Sequence, residues 1–150
     1  MELKIKPLSP KLGTEIPLPS YATPGSAGMD LRACMDAPLT LRPGERVAVP
    51  TGFAIALPSP DYAAYIFARS GLGIKHGITL PNCVGVIDSD YRGEILVALT
   101  NLSDTEYTVQ PGDRVAQLVI MPVIQARLTV TEELDETQRG TGGFGSTGRG

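Results

Sequence analysis

The sequence predicts an all-β protein: a jelly-roll-like sandwich or barrel with at most one short helix. Three observations carry this expectation. Apolar residues fall in short alternating or β-rich runs, and long stretches at helical spacing are missing. Turn signals built on Pro and Gly separate the runs. Two similar segments, one in each half of the chain, read as the same turn launching a strand.

The runs follow in order. Leu3-Lys4-Ile5-Lys6 alternates. Arg46-Val47-Ala48-Val49, Phe53-Ala54-Ile55-Ala56-Leu57, Ile95-Leu96-Val97-Ala98-Leu99 and Val115-Ala116-Gln117-Leu118-Val119-Ile120 are short apolar stretches, and Leu128-Thr129-Val130-Thr131 closes the series. Pro24-Gly25, Pro43-Gly44, Pro58-Ser59-Pro60 and Pro111-Gly112 supply the turns between them. Many short strands with regular turns suit a sandwich, barrel or jelly roll. The internal echo is Leu41-Arg42-Pro43-Gly44-Glu45-Arg46-Val47-Ala48 against Val109-Gln110-Pro111-Gly112-Asp113-Arg114-Val115-Ala116. Two copies do not make a repeat protein, but they suit a fold of two similar halves.

The 150 residues point to one domain, large enough to bury a core of its own. The 17 glycines and 13 prolines are dispersed, which makes them turns and not a low-complexity tract. A net charge of −3 supplies no basic field for a nucleic-acid backbone, so no stable nucleic-acid partner is expected. No apolar run approaches the ~18 residues of a membrane helix, and the start of the chain lacks the apolar stretch of a signal peptide. With only two cysteines, Cys34 and Cys83, not closely spaced, these features predict a cytoplasmic protein with free thiols. A single histidine, His76, leaves no His-rich zinc site.

Five segments carry residues capable of chemistry. Ala27-Gly28-Met29-Asp30-Leu31 places a carboxylate between apolar neighbours, where it must be paired, hydrogen-bonded or near a metal. Arg69-Ser70-Gly71-Leu72-Gly73 reads either as a phosphate nest or as a loop with a surface arginine. Gly85-Val86-Ile87-Asp88-Ser89-Asp90-Tyr91-Arg92-Gly93-Glu94-Ile95 reads as a hairpin, with Asp88 at the edge of the core. A carboxylate there activates water or caps the turn. Tyr91 is a ring platform or an ordinary cross-strand aromatic. In Pro111-Gly112-Asp113-Arg114-Val115-Ala116-Gln117, the amide of Gln117 sits in an apolar strand and needs a ligand or a backbone partner. The tail from Arg139 to Gly150 is rich in glycine, which lets backbone N–H groups approach an anion. Its Arg139, Ser146 and Thr147 can bind phosphate and its Phe144 can stack on a base. The plainer reading is a solvated terminus.

Taken together and in this order, the five segments resemble the five motifs of the trimeric dUTPase family, spanning nearly the whole chain. One departure is Ala68, where many members have Pro before the second motif's arginine. The resemblance implies a homotrimeric jelly roll with active sites at subunit interfaces, comprising a body over residues 1–136 and a glycine-rich lid over 137–150. It implies hydrolysis of dUTP to dUMP and pyrophosphate by water attack on the α-phosphate, which keeps uracil out of DNA and supplies dUMP for thymidylate synthesis. It implies that Asp88 activates the water, that Arg69, Ser70, Gly71 and Gln117 hold the phosphate chain, and that Arg139, Gly145, Ser146 and Thr147 engage substrate from the lid. Asn82 would contact the base, Phe144 would stack on it, and Tyr91 would pack under the deoxyribose and exclude a 2′-hydroxyl. The Mg²⁺ cofactor would be held by the substrate phosphates and not by a preformed protein site, with Asp30 structural or supporting metal-bound water from a distance. Two other readings stay open at this point. A dCTP deaminase on the same fold would carry a glutamate at the position of Ala98, and a silent nucleotide-binding module would have lost Asp88, Phe144 or the arginines.

Overall fold

A computed structural model describes residues 1–143. Eleven strands and one short helix are assigned among them: β1 (Lys4–Pro7), β2 (Met29–Arg32), β3 (Leu39–Leu41), β4 (Arg46–Pro50), β5 (Phe53–Ala56), β6 (Tyr62–Ala68), α1 (Ser70–His76), β7 (Ile78–Thr79), β8 (Val84–Ile87), β9 (Leu96–Asn101), β10 (Tyr107–Val109) and β11 (Arg114–Pro122). They form a four-stranded sheet in the order β2-β11-β6-β8, a three-stranded sheet β4-β9-β7, and two strand pairs, β1-β5 and β10-β3. Every pairing is antiparallel. Leu31, Leu118 and Ile66 from the larger sheet meet Val49, Val97, Leu99 and Ile78 from the smaller, with Phe53 and Ile55 of β5 beside them in one core. This is the expected jelly-roll-like sandwich.

The internal echo is a structural one. β3 and β10, which precede the two Pro-Gly turns, pair with each other through Leu41↔Tyr107 and Leu39↔Val109. In both turns the glycine has positive φ, +79° at Gly44 and +85° at Gly112, where a side chain would be strained. In both, a carboxylate three residues on accepts the backbone N–H preceding the proline: Glu45 from Arg42 and Asp113 from Gln110, each at 2.8 Å. The turns then deliver the chain into β4 and β11.

Asn101 is fully buried at the end of β9 and uses its whole amide. Its Nδ2 donates to the carbonyls of Leu41 (3.0 Å) and Thr105 (2.8 Å), and its Oδ1 accepts from the Ser103 N–H and hydroxyl. A buried amide satisfied this completely fixes the 101–105 loop against β3.

Three expectations change, and the first run is placed more closely. The 85–95 segment is not a two-stranded hairpin: β8 pairs with β6, while the chain after the turn enters β9 in the other sheet. The alternating start of the chain forms β1, whose four residues are exposed, with Leu3 before it partly buried against the core. Leu128-Thr129-Val130-Thr131 forms no strand, because it has no partner within the chain; residues 124–136 are exposed. Gln117 is exposed on β11, so its amide needs no internal partner.

Candidate active site

The second motif opens α1. Arg69 is the N-cap residue, with no side-chain capping bond, and the helix begins at Ser70. The first N–H groups of any helix lack intrahelical partners, and those of α1 begin at Ser70. A sequence Ser-Gly-Leu-Gly has poor helical propensity. The turn is held by burial of Leu72 and by Gly77, whose left-handed φ of +67° lets its N–H close onto Gly73 O. Gly71 meets no atom of its own chain within 4 Å of a would-be Cβ. Packing within the chain therefore gives no reason for glycine at this position.

Arg69 is anchored from below. Its Nε is buried and lies 3.4 Å from Asp30 Oδ1, outside hydrogen-bonding geometry, and Nη1 donates to Arg114 O at 3.1 Å. Asp30 also accepts from Arg114 Nη1 at 3.1 Å. The aspartate between apolar neighbours is thus ion-paired, held between Arg114 of β11 and Arg69 at the end of β6. Cross-strand register sets Gln117 opposite both Asp30 and Phe67, so all three share the face of the sheet turned away from the core. Asp30 and Arg69 are joined by their ion pair, Gln117 stands opposite Asp30 in register, and Ser70 and Gly71 follow Arg69 directly in the chain. Tyr107, tilted at 45° to the His76 ring with centroids 5.0 Å apart, lies within electrostatic reach of Arg69. Burial raises its phenol pKa first, Asp113 raises it further, and Arg69 opposes both.

The third motif makes a second surface. A turn closed by Tyr91 N–H on Asp88 O (3.2 Å) puts Asp88 and Tyr91 into one cleft of about 220 Å³, with Val86, Ile87, Glu94 and Leu96. Among the described residues nothing hydrogen-bonds to the Asp88 carboxylate. It does not cap its turn, and it is exposed. Tyr91 is not a cross-strand residue. It folds back so that its hydroxyl donates to Glu94 O at 3.0 Å, and its ring occupies the space where a Cβ on residue 93 would stand, 2.3 Å from the phenol oxygen. Only glycine permits this at position 93. Asn82 is exposed in the tight turn before β8, next to Cys83, whose φ is +63°.

The two surfaces do not converge within one chain. The β6–β8 register pairs Ala64 with Ile87, which places Asp88 beside Ala63. Arg69 follows the far end of β6, six residues further along, or about 20 Å at the usual rise of a strand. None of Arg69, Ser70, Gly71 or Gln117 lines the Asp88–Tyr91 cleft. Arg139 donates to Gly142 O at 2.9 Å within its own exposed turn and, among the described residues, makes no hydrogen bond or ion pair with the other site residues. The expectations for Phe144, Gly145, Ser146 and Thr147 fall outside the described residues. No group of three or more His, Cys, Asp or Glu side chains converges to hold a metal among the described residues.

The fold and these surfaces define a β-sandwich with an arginine and free amides on one face and an unpartnered carboxylate beside an aromatic ring on another. A family model described as dUTPase matches residues 14–148. The deoxyuridine 5'-triphosphate nucleotidohydrolase of Aeromonas hydrophila subsp. hydrophila is 57% identical over 148 residues, covering 99% of this chain and 97% of that one. The protein of the same name from Paraburkholderia phymatum is 56% identical over 149 residues, covering 99% of each. Among solved structures, the Staphylococcus bacteriophage 80alpha dUTPase with dUPNHPP superposes with a TM-score of 0.86 at 26% identity, covering 98% of both chains. The chain belongs to the dUTPase family.

Proposed function

We propose that this protein hydrolyses dUTP to dUMP and pyrophosphate at sites completed only when copies of the chain associate as a homotrimer. The observation that carries the second half is the separation within one chain. A base must come within hydrogen-bond reach of the water it activates, directly or through one further water. Phosphate-binding groups must reach the same phosphoryl group. Asp88 and Arg69, about 20 Å apart along β6, cannot both do so from one copy. The exposed stretch after β11 points the same way. Ile124, Leu128, Val130 and Leu134 are 87–99% exposed, an apolar series without a partner among the described residues.

In the assembled site Asp88 accepts a proton from the water that attacks the α-phosphorus. Its carboxylate carries no competing hydrogen bond among the described residues. Hydrolysis of a phosphoanhydride is limited mainly by positioning and by neutralisation of charge on the phosphoryl oxygens. Arg69, the Ser70 hydroxyl, the amides at the start of α1 and Gln117 supply donors for that purpose. Gly71 leaves open the approach to those amides. Asp30 holds the Arg69 guanidinium in place through the ion pair beneath it. Tyr91 packs under the deoxyribose, Asn82 contacts the base, and Arg139 with Phe144, Gly145, Ser146 and Thr147 closes over the nucleotide from the tail. The described side chains provide no cage for Mg²⁺. The Mg²⁺ would be held by the substrate's phosphates and would supply charge neutralisation there. A cytoplasmic location suits a nucleotide-pool enzyme with two free thiols.

The test is Asp88→Asn. Turnover of dUTP falls by about 100-fold or more, the usual contribution of a positioned base, while nucleotide binding is retained. Near-normal turnover in that variant would remove Asp88 from its role.

A further inference from the structure

Glu94 has no place in the roles assigned above, yet it is the joint between the Tyr91 turn and the body of the fold. Gly52, between β4 and β5, donates its N–H to Glu94 Oε1 at 2.7 Å. Gly52 has little freedom to move: its φ is +79°, and a Cβ there would lie 2.6 Å from the Sγ of buried Cys34. The same end of the segment is tied by Ile95 N–H to Phe53 O (2.9 Å) and by the Thr51 hydroxyl to Ile95 O (2.7 Å). The Tyr91 hydroxyl in turn donates to Glu94 O. The chain of contacts runs from a rigid core turn through Glu94 to the ring of Tyr91. Glu94 itself forms part of the wall of the cleft that Asp88 and Tyr91 share.

We infer that Glu94 is a positioning residue for sugar discrimination: its carboxylate, clamped to the Gly52 amide, fixes the height of the Tyr91 ring and so the space left at the 2′ position of the nucleotide. This rests on the proposed role of Tyr91 under the deoxyribose. A ring that excludes one hydroxyl must be held to within a fraction of an ångström. Tyr91 is exposed and outside any strand, so it has no ladder to hold it there. The ring is constrained by the Glu94 carbonyl and by Gly93, the Tyr91 backbone by its bond to Asp88 O, and Glu94 is the one side chain of the 88–94 turn that hydrogen-bonds to the body of the fold among the described residues.

The experiment compares Glu94→Ala, Glu94→Gln and Tyr91→Phe with the parent protein. The readouts are the ratio of kcat/KM for dUTP over UTP and hydrogen exchange of peptides spanning 50–54 and 88–95. Glu94→Ala lowers the ratio by about tenfold, the loss expected when a charge-assisted hydrogen bond no longer restrains the ring. It also speeds exchange in both peptides. Glu94→Gln keeps an acceptor oxygen and retains both the parental ratio and the parental exchange. Tyr91→Phe lowers the ratio while leaving exchange at 50–54 unchanged. An unaltered ratio in Glu94→Ala with faster exchange, or an equal loss in Glu94→Gln, overturns the inference. A parent protein that does not prefer dUTP to UTP, with exchange behaving as described, overturns the Tyr91 role itself and leaves Glu94 as a structural clamp.

Discussion

The division of the site between copies can be tested by mixing two inactive variants. Asp88→Asn removes the base and Arg69→Ala removes the phosphate arginine. Each alone lowers activity by about 100-fold or more. The structure separates the two positions by about 20 Å along β6, so in the proposed assembly each site would take one group from one copy and the other from a neighbour. Equal amounts are unfolded together, refolded and assayed by pyrophosphate release. Random assembly gives a site an Asp88-bearing copy in about half of cases and an Arg69-bearing neighbour in about half. About one quarter of the sites are therefore whole, and activity returns to about a quarter of the parent's. Mixing the folded variants without unfolding recovers less if the trimer exchanges slowly. A refolded mixture no more active than the average of the two variants would place both groups in one copy and refute the reasoning.

Two further predictions bear on the fold and the tail. Asn101→Ala leaves the carbonyls of Leu41 and Thr105 and the Ser103 N–H without partners at a buried position, at a cost of about 2–3 kcal/mol. Chemical denaturation followed by circular dichroism reads it as a lower midpoint, and an unchanged midpoint would mean that water replaces the amide. Deletion of residues 139–150 abolishes dUTP turnover while the far-UV spectrum and the oligomer size are retained. Normal hydrolysis by the truncated protein would end the lid assignment.

The strands that sequence marks well are those with dense apolar runs, two of which, β4 and β11, begin just after a Pro-Gly turn. β4, β5, β9 and β11 all lie where Val, Ile, Leu and Phe cluster. The two-part echo is legible for the same reason, since each copy carries its own turn chemistry and its own capping carboxylate. β6 is the central strand beside β8, but its Tyr-Ala-Ala-Tyr-Ile-Phe-Ala sequence mixes small and large residues and gives no clean period. α1 is hidden because two glycines suppress its propensity, and it forms through tertiary packing of Leu72 and its glycine C-cap. The 85–95 segment has a hairpin's local pattern, but its strands find partners in different sheets, which no local pattern encodes. The site residues are recognisable as types. That Asp30 lies between two arginines depends on a register between distant strands, and that Asp88 lies far from Arg69 depends on the length of β6. The Glu94–Gly52 clamp joins residues 42 apart and carries no sequence motif.

The most direct measurement is pyrophosphate release with Mg²⁺ from dUTP, dTTP, UTP and dCTP in parallel. The account predicts release from dUTP and little from the other three. Equal release from all four would contradict it, because Asn82, Tyr91 and Phe144 would then have no part in reading base or sugar.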